Sequence, residues 1–108
     1  MQHGLSDQTI KKIVSVFETH TEIENVVLYG SRAKGNYRKG SDIDLTILGR
    51  KISLRLLQRI ENELDDLLLP YTIDVSIFTH IKNQTLLEHI ERVGVVFYAR
   101  QKEQAMKD

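Results

Sequence analysis

Apolar residues along this chain follow two periods. Ile10, Ile13, Val14 and Phe17 recur every three or four positions, the spacing of a helix that buries one stripe, with Ser6 ahead as an N-cap and Asp7 in the positively polarised first turn. The helix is expected to fade near His20 and Thr21. Val26–Tyr29 is a short run of β-branched, aliphatic and aromatic residues stopped by Gly30, which predicts a buried strand. A loop over Gly35–Gly40 leads to a second strand, Asp42–Leu48, with Ile43, Leu45 and Ile47 on one side and Asp42 and Asp44 on the other. Helical spacing returns from Leu54 through Leu57, Ile60, Leu64, Leu67 and Leu68, with Ser53 as cap and Pro70 beyond the end. Tyr71–Phe78 alternates again, Ile73, Val75 and Ile77 against Thr72, Asp74 and Ser76, and predicts a third strand. Leu86, Leu87, Ile90 and Val93 mark a last helix closed by Gly94, and Val95–Tyr98 a final short strand.

Helices and strands in this order predict an α/β (α+β) fold: a small mixed sheet of four strands with helices packed mainly on one face. The length of 108 residues suits one core, so residues 1–99 are read as a single domain and 100–108 as a polar, frayed tail. Fifteen basic residues balance fifteen acidic ones, which gives no reason to expect general attraction to nucleic acid or anionic membrane, so no direct nucleic-acid binding is expected. The absence of cysteine excludes disulfides and thiolate chemistry and fits a reducing compartment. With no leader-like N-terminus and no apolar run long enough to span a bilayer, a cytoplasmic location is expected.

Against this neutral background, Tyr29–Leu48 gathers Arg32, Lys34, Arg38, Lys39, Asp42 and Asp44 around a Gly-Ser turn. Two aspartates at i and i+2 of a strand share a face with Cα atoms about 6.5 Å apart, close enough to converge on one cation. Held so near without a partner, like charges raise each other's pKa, and a divalent ion is one way to relieve them. Asp74 lies on the polar side of its own strand and would complete a three-carboxylate cluster if that strand pairs with the second. Magnesium suits such a site, because it accepts a few carboxylates and takes its other ligands from water and phosphate. Upstream, Gly30 permits a sharp turn and close approach, and free N–H groups over Ser31–Lys34 with the Ser31 hydroxyl would seat a phosphate. The spacing is neither that of a P-loop nor of a dinucleotide-binding loop.

The combination of Gly30-Ser31, ten residues, Asp42-x-Asp44 and a later strand aspartate resembles the minimal nucleotidyltransferases of the DNA polymerase β superfamily, in which "GSRAKG" and "SDIDL" are signature stretches. The resemblance runs from about residue 23 to residue 98 and implies a polymerase β palm-like fold. It implies a magnesium-dependent enzyme that transfers a nucleoside monophosphate, AMP from ATP, to a hydroxyl acceptor. Asp42, Asp44 and Asp74 would be the catalytic residues and hold two magnesium ions, with manganese an alternative, and Asp74 is the candidate general base. Gly30, Ser31, Arg32 and Lys34 would bind the nucleotide. No role is assigned to the four histidines, and Tyr29 and Tyr98 are read as core or sheet residues.

So small a chain leaves little room for an acceptor-binding domain, which points to a surface borrowed from a partner or from a second copy of itself. In the resembled family the common partner is a small helical-bundle protein of the HEPN type, a toxin that the nucleotidyltransferase counters as antitoxin. Two other readings are a non-catalytic module that neutralises its partner by contact, and a drug-modifying adenylyltransferase.

Overall fold

The structure, a computed structural model, describes residues 1–101. Its elements follow in the order α1 (Asp7–Glu18), β1 (Ile23–Tyr29), α2 (Gly30–Lys34), β2 (Ile43–Gly49), α3 (Leu54–Asp65), β3 (Ile73–Ile77), a single 3₁₀ turn (Phe78–His80), α4 (Gln84–Val93) and β4 (Val95–Ala99). The expected caps are in place. Ser6 Oγ accepts the Thr9 N–H at 3.1 Å and Ser53 Oγ accepts the Leu56 N–H at 3.1 Å, and Asn83 caps α4 in the same way.

The four strands form one mixed sheet in the order β3-β2-β1-β4. β1 is antiparallel to both β2 and β4, while β2 and β3 run parallel, as the α3 crossover between them requires. Strand alternation separates two environments. On one face Val26, Leu28, Ile43, Leu45, Ile47, Val75 and Ile77 meet Ile13, Val16 and Phe17 of α1 and Ile60 and Leu64 of α3 in one buried core. The other face carries Tyr29, Asp44 and Asp74 side by side and is only partly covered, by α4, which reaches Tyr29 through His89 and Val27 through Gly94.

Several boundaries differ from expectation for physical reasons. β1 begins at Ile23, three residues early, because Glu24 and Asn25 lie at an irregularity in the β1–β2 register where polar side chains are tolerated. α3 stops at Asp65 and not at Leu68, whose backbone has a φ of 55° and whose side chain is 88% exposed. β2 starts at Ile43, leaving Asp42 just outside the strand. The expected tail over 100–108 lies outside the described residues from Lys102 onward, and Arg100 is not frayed. Its guanidinium donates to the carbonyls of His20 at 2.8 Å, Ile23 at 3.0 Å and Glu18 at 3.2 Å, tying down the segment where α1 ends and β1 begins. Among the described residues no helix is long and apolar enough to cross a membrane.

Candidate active site

The carboxylates meet where the ends of three strands come together. β2 and β3 pair in phase, so Asp44 stands directly beside Asp74, and across β1 the partner of Asp44 is Tyr29. Neighbouring strands lie about 4.8 Å apart, which brings the two carboxylates onto one patch of the open face. Asp42, exposed at the mouth of β2, adds its charge to the surroundings of Asp44. Burial, followed by the charges of Asp74 and Asp42, pushes the Asp44 carboxyl above the ordinary aspartate range. Burial likewise raises the Tyr29 hydroxyl, a neighbouring Ser76 hydrogen bond opposes the rise, and the Asp44 and Asp74 charges add to it, so Tyr29 remains a neutral phenol beside the acids.

Among the described residues none of these three aspartates forms an ion pair. Nor is any group of three His, Cys, Asp or Glu side chains there closed tightly enough to hold a metal ion unaided. An open set of hard oxygen donors with unrelieved repulsion fits magnesium, which binds through one or two carboxylates and completes its shell with water and substrate phosphate.

The turn into α2 abuts this cluster. Gly30 has a φ of +77°, and a Cβ at that position would run into Asp44 Oδ2, so glycine is required both by the backbone and by the carboxylate packed against it. The Gly30 N–H is already committed: it donates to His89 Nε2 at 3.0 Å. Gly30 therefore shapes the site by its missing side chain, while Ser31, half-buried as the second residue of α2, follows as the candidate phosphate contact.

Of the two cations expected to reach the nucleotide, Lys34 is exposed at the end of α2 and Arg32 is not available. Arg32 is only 3% exposed, and its guanidinium is spent inside the protein. It donates to the Ser41 carbonyl from Nε at 3.1 Å and Nη2 at 2.9 Å, and to the His3 carbonyl from Nη1 at 2.9 Å. The rings of Tyr37 and Tyr71 lie 5.3 and 5.0 Å from its Cζ. The expectation of a phosphate-binding Arg32 thus gives way to a clamp that holds Ser41, and with it the approach to Asp42.

The residue that sequence reasoning passed over is His89. Besides its bond to Gly30, its ring packs edge-on against Tyr29, with centroids 6.2 Å apart and planes at 81°. A signal was present: His89 sits three residues after Leu86 and four before Val93, on the apolar stripe of a helix that otherwise shows solvent its polar side chains.

A sheet with strand-borne aspartates beside a Gly-Ser turn is the arrangement expected of the nucleotidyltransferase class. The sequence matches the family model described as polymerase beta, nucleotidyltransferase, over residues 11–103, and the chain belongs to that family. No curated protein matches it. Among solved structures, a chain of a toxin-antitoxin complex with AMP-PNP is 18% identical, superposes with a TM-score of 0.66 and covers 90% of this chain and 76% of its own. A chain from the tri-AMPylated Shewanella oneidensis HEPN toxin in complex with MNT antitoxin is 14% identical, with a TM-score of 0.65 over 89% of this chain and 74% of that one. A chain of the toxin-antitoxin MntA-HepT is similar, at 14% identity and 0.65 over 88% and 74%. At these identities the likeness is one of fold.

Proposed function

We propose that this protein is a magnesium-dependent nucleotidyltransferase that moves AMP from ATP to a hydroxyl on a small helical partner of the HEPN type, as the antitoxin of a toxin-antitoxin pair in the cytoplasm. The in-phase pairing of Asp44 with Asp74 beside the Gly30 turn carries this reading, because it sets two carboxylates, the ligand type that magnesium takes, next to a glycine bend followed by Ser31. The AMPylated toxin found with a chain of like fold supports the choice of acceptor.

In this reading Asp42 and Asp44 hold the ion that accompanies the triphosphate, and Asp74 joins them at the acceptor side. Magnesium supplies charge stabilisation for the entering and leaving oxygens of an in-line displacement. Asp74, the more exposed carboxylate of the strand pair, takes the proton from the acceptor hydroxyl as that oxygen bonds to the α phosphorus, and the bond from the α phosphorus to the β phosphate breaks to release pyrophosphate. Ser31 donates to the β and γ phosphates, and Lys34 adds a cation near the turn. A bound cation would relieve the repulsion that raises the Asp44 carboxyl.

The test uses the purified protein, magnesium, α-labelled ATP or GTP and the helical partner recovered with it from its host. Label on the partner that disappears in Asp42→Asn and Asp44→Asn variants is the expected result. A tight complex that takes no label from any nucleotide would overturn the proposal.

A further inference from the structure

The Gly30 turn is the least self-supporting part of the site. Its backbone lies in the left-handed region, Tyr29 at the N-cap position makes no side-chain capping bond, and a carboxylate is packed against the Gly30 Cα. What pins it comes from 59 residues away, where His89 on α4 accepts the Gly30 N–H. That bond requires an unprotonated Nε2 and so places the ring proton on Nδ1. The edge-on contact with Tyr29 restricts the ring plane, and Tyr29 is itself the register partner of Asp44. His89 therefore touches both residues of the turn's entry and, through them, the neighbours of the central carboxylate.

We infer that His89 is a positioning residue for the nucleotide: by accepting the Gly30 N–H it holds the turn in the one shape that aligns Ser31 with the phosphates and leaves room for Asp44. This inference rests on the nucleotidyltransferase reading above, since it supposes that the turn receives a triphosphate. The role is one of reach as well as polarity. Glutamine can bring its amide oxygen to the place of Nε2, asparagine cannot, and leucine fills the volume without an acceptor.

The experiment measures the Kd of ATP with magnesium, by titration calorimetry, for the wild type and the H89Q, H89N and H89L variants, together with the melting temperature of each. Losing one hydrogen bond that orders a binding turn corresponds to roughly a tenfold loss of affinity. H89N and H89L are expected to show that loss, and H89Q to restore most of it, at melting temperatures that do not follow the same ranking. Amide exchange supplies an independent measurement should H89L fold poorly: Gly30 N–H is protected in the wild type and H89Q and exchanges fast in H89N. Equal affinity in all four proteins would overturn the role of His89 and leave the nucleotide reading standing. A wild type that binds no ATP with magnesium would instead remove that reading and this inference with it.

Discussion

Replacing Arg32 distinguishes a phosphate ligand from a structural clamp. In Arg32→Ala the carbonyls of Ser41 and His3 lose their donors, and both residues are half-buried, so water reaches these oxygens in part. An unsatisfied buried acceptor costs about 1–3 kcal/mol, and the lower end applies here, giving about 2 kcal/mol for the pair. The contacts with Tyr37 and Tyr71 add about 0.5–1 kcal/mol each. The expected destabilisation is then about 3 kcal/mol, which for a domain of this size lowers the melting temperature by roughly 12–20 °C. Arg32→Lys recovers little, because an ammonium cannot make the paired bonds from Nε and Nη2 to one carbonyl. Urea unfolding gives the free energy and calorimetric titration the affinity for ATP. An alanine variant that melts within a degree of the wild type yet binds ATP far more weakly would refute the clamp and restore Arg32 to the phosphates.

Asp44 should show opposition between stability and chemistry. Its folded-state pKa is raised, so the native state holds its proton to higher pH than the unfolded chain, and stability falls as pH rises from the ordinary aspartate range through the raised value. In metal-free buffer at pH 7, Asp44→Asn is therefore expected to be more stable than the wild type while losing nucleotidyl transfer, and the stability gap should close as the pH drops below that window in urea melts. Identical pH slopes for the two proteins would contradict this. Gly30→Ala introduces left-handed strain of about 1–2 kcal/mol together with a methyl group at the Asp44 carboxylate. Because small misplacements at a reacting centre are costly, the transfer rate should fall about 100-fold or more with only a modest loss of stability, and a wild-type rate would show that the turn tolerates a side chain.

The sequence made the architecture legible wherever polarity alternated cleanly. β2 and β3 could be read, with the correct face for Asp44 and Asp74, because Ile43, Leu45, Ile47, Val75 and Ile77 had nowhere to go but the core. The caps at Ser6 and Ser53 were visible for the same local reason. The fates of Arg32 and His89 were hidden, since both depend on contacts distant in the chain. A basic residue between Ser31 and Lys34 reads as a phosphate ligand until His3, Ser41 and Tyr71 are seen around it. His89 meets Gly30 only after α4 folds over the sheet. Arg100 belonged to an apparently featureless polar stretch because its partners are main-chain carbonyls, which no side-chain pattern announces.

The matched ladder between β2 and β3 also ties survival of the domain to correctness of the chemistry. Insert one residue within β3, after Ile73, and the parity of the rest of the strand reverses: Asp74 turns toward Leu64 and its neighbours, while Val75 and Ile77 face away from the core. An isolated carboxylate forced among aliphatic side chains cannot remain charged there, so such a chain unfolds before it can persist as a misaligned enzyme. Errors of phase along this strand are thus removed by folding itself, and natural variation in the crossover must be taken up by α3 and its flanking turns.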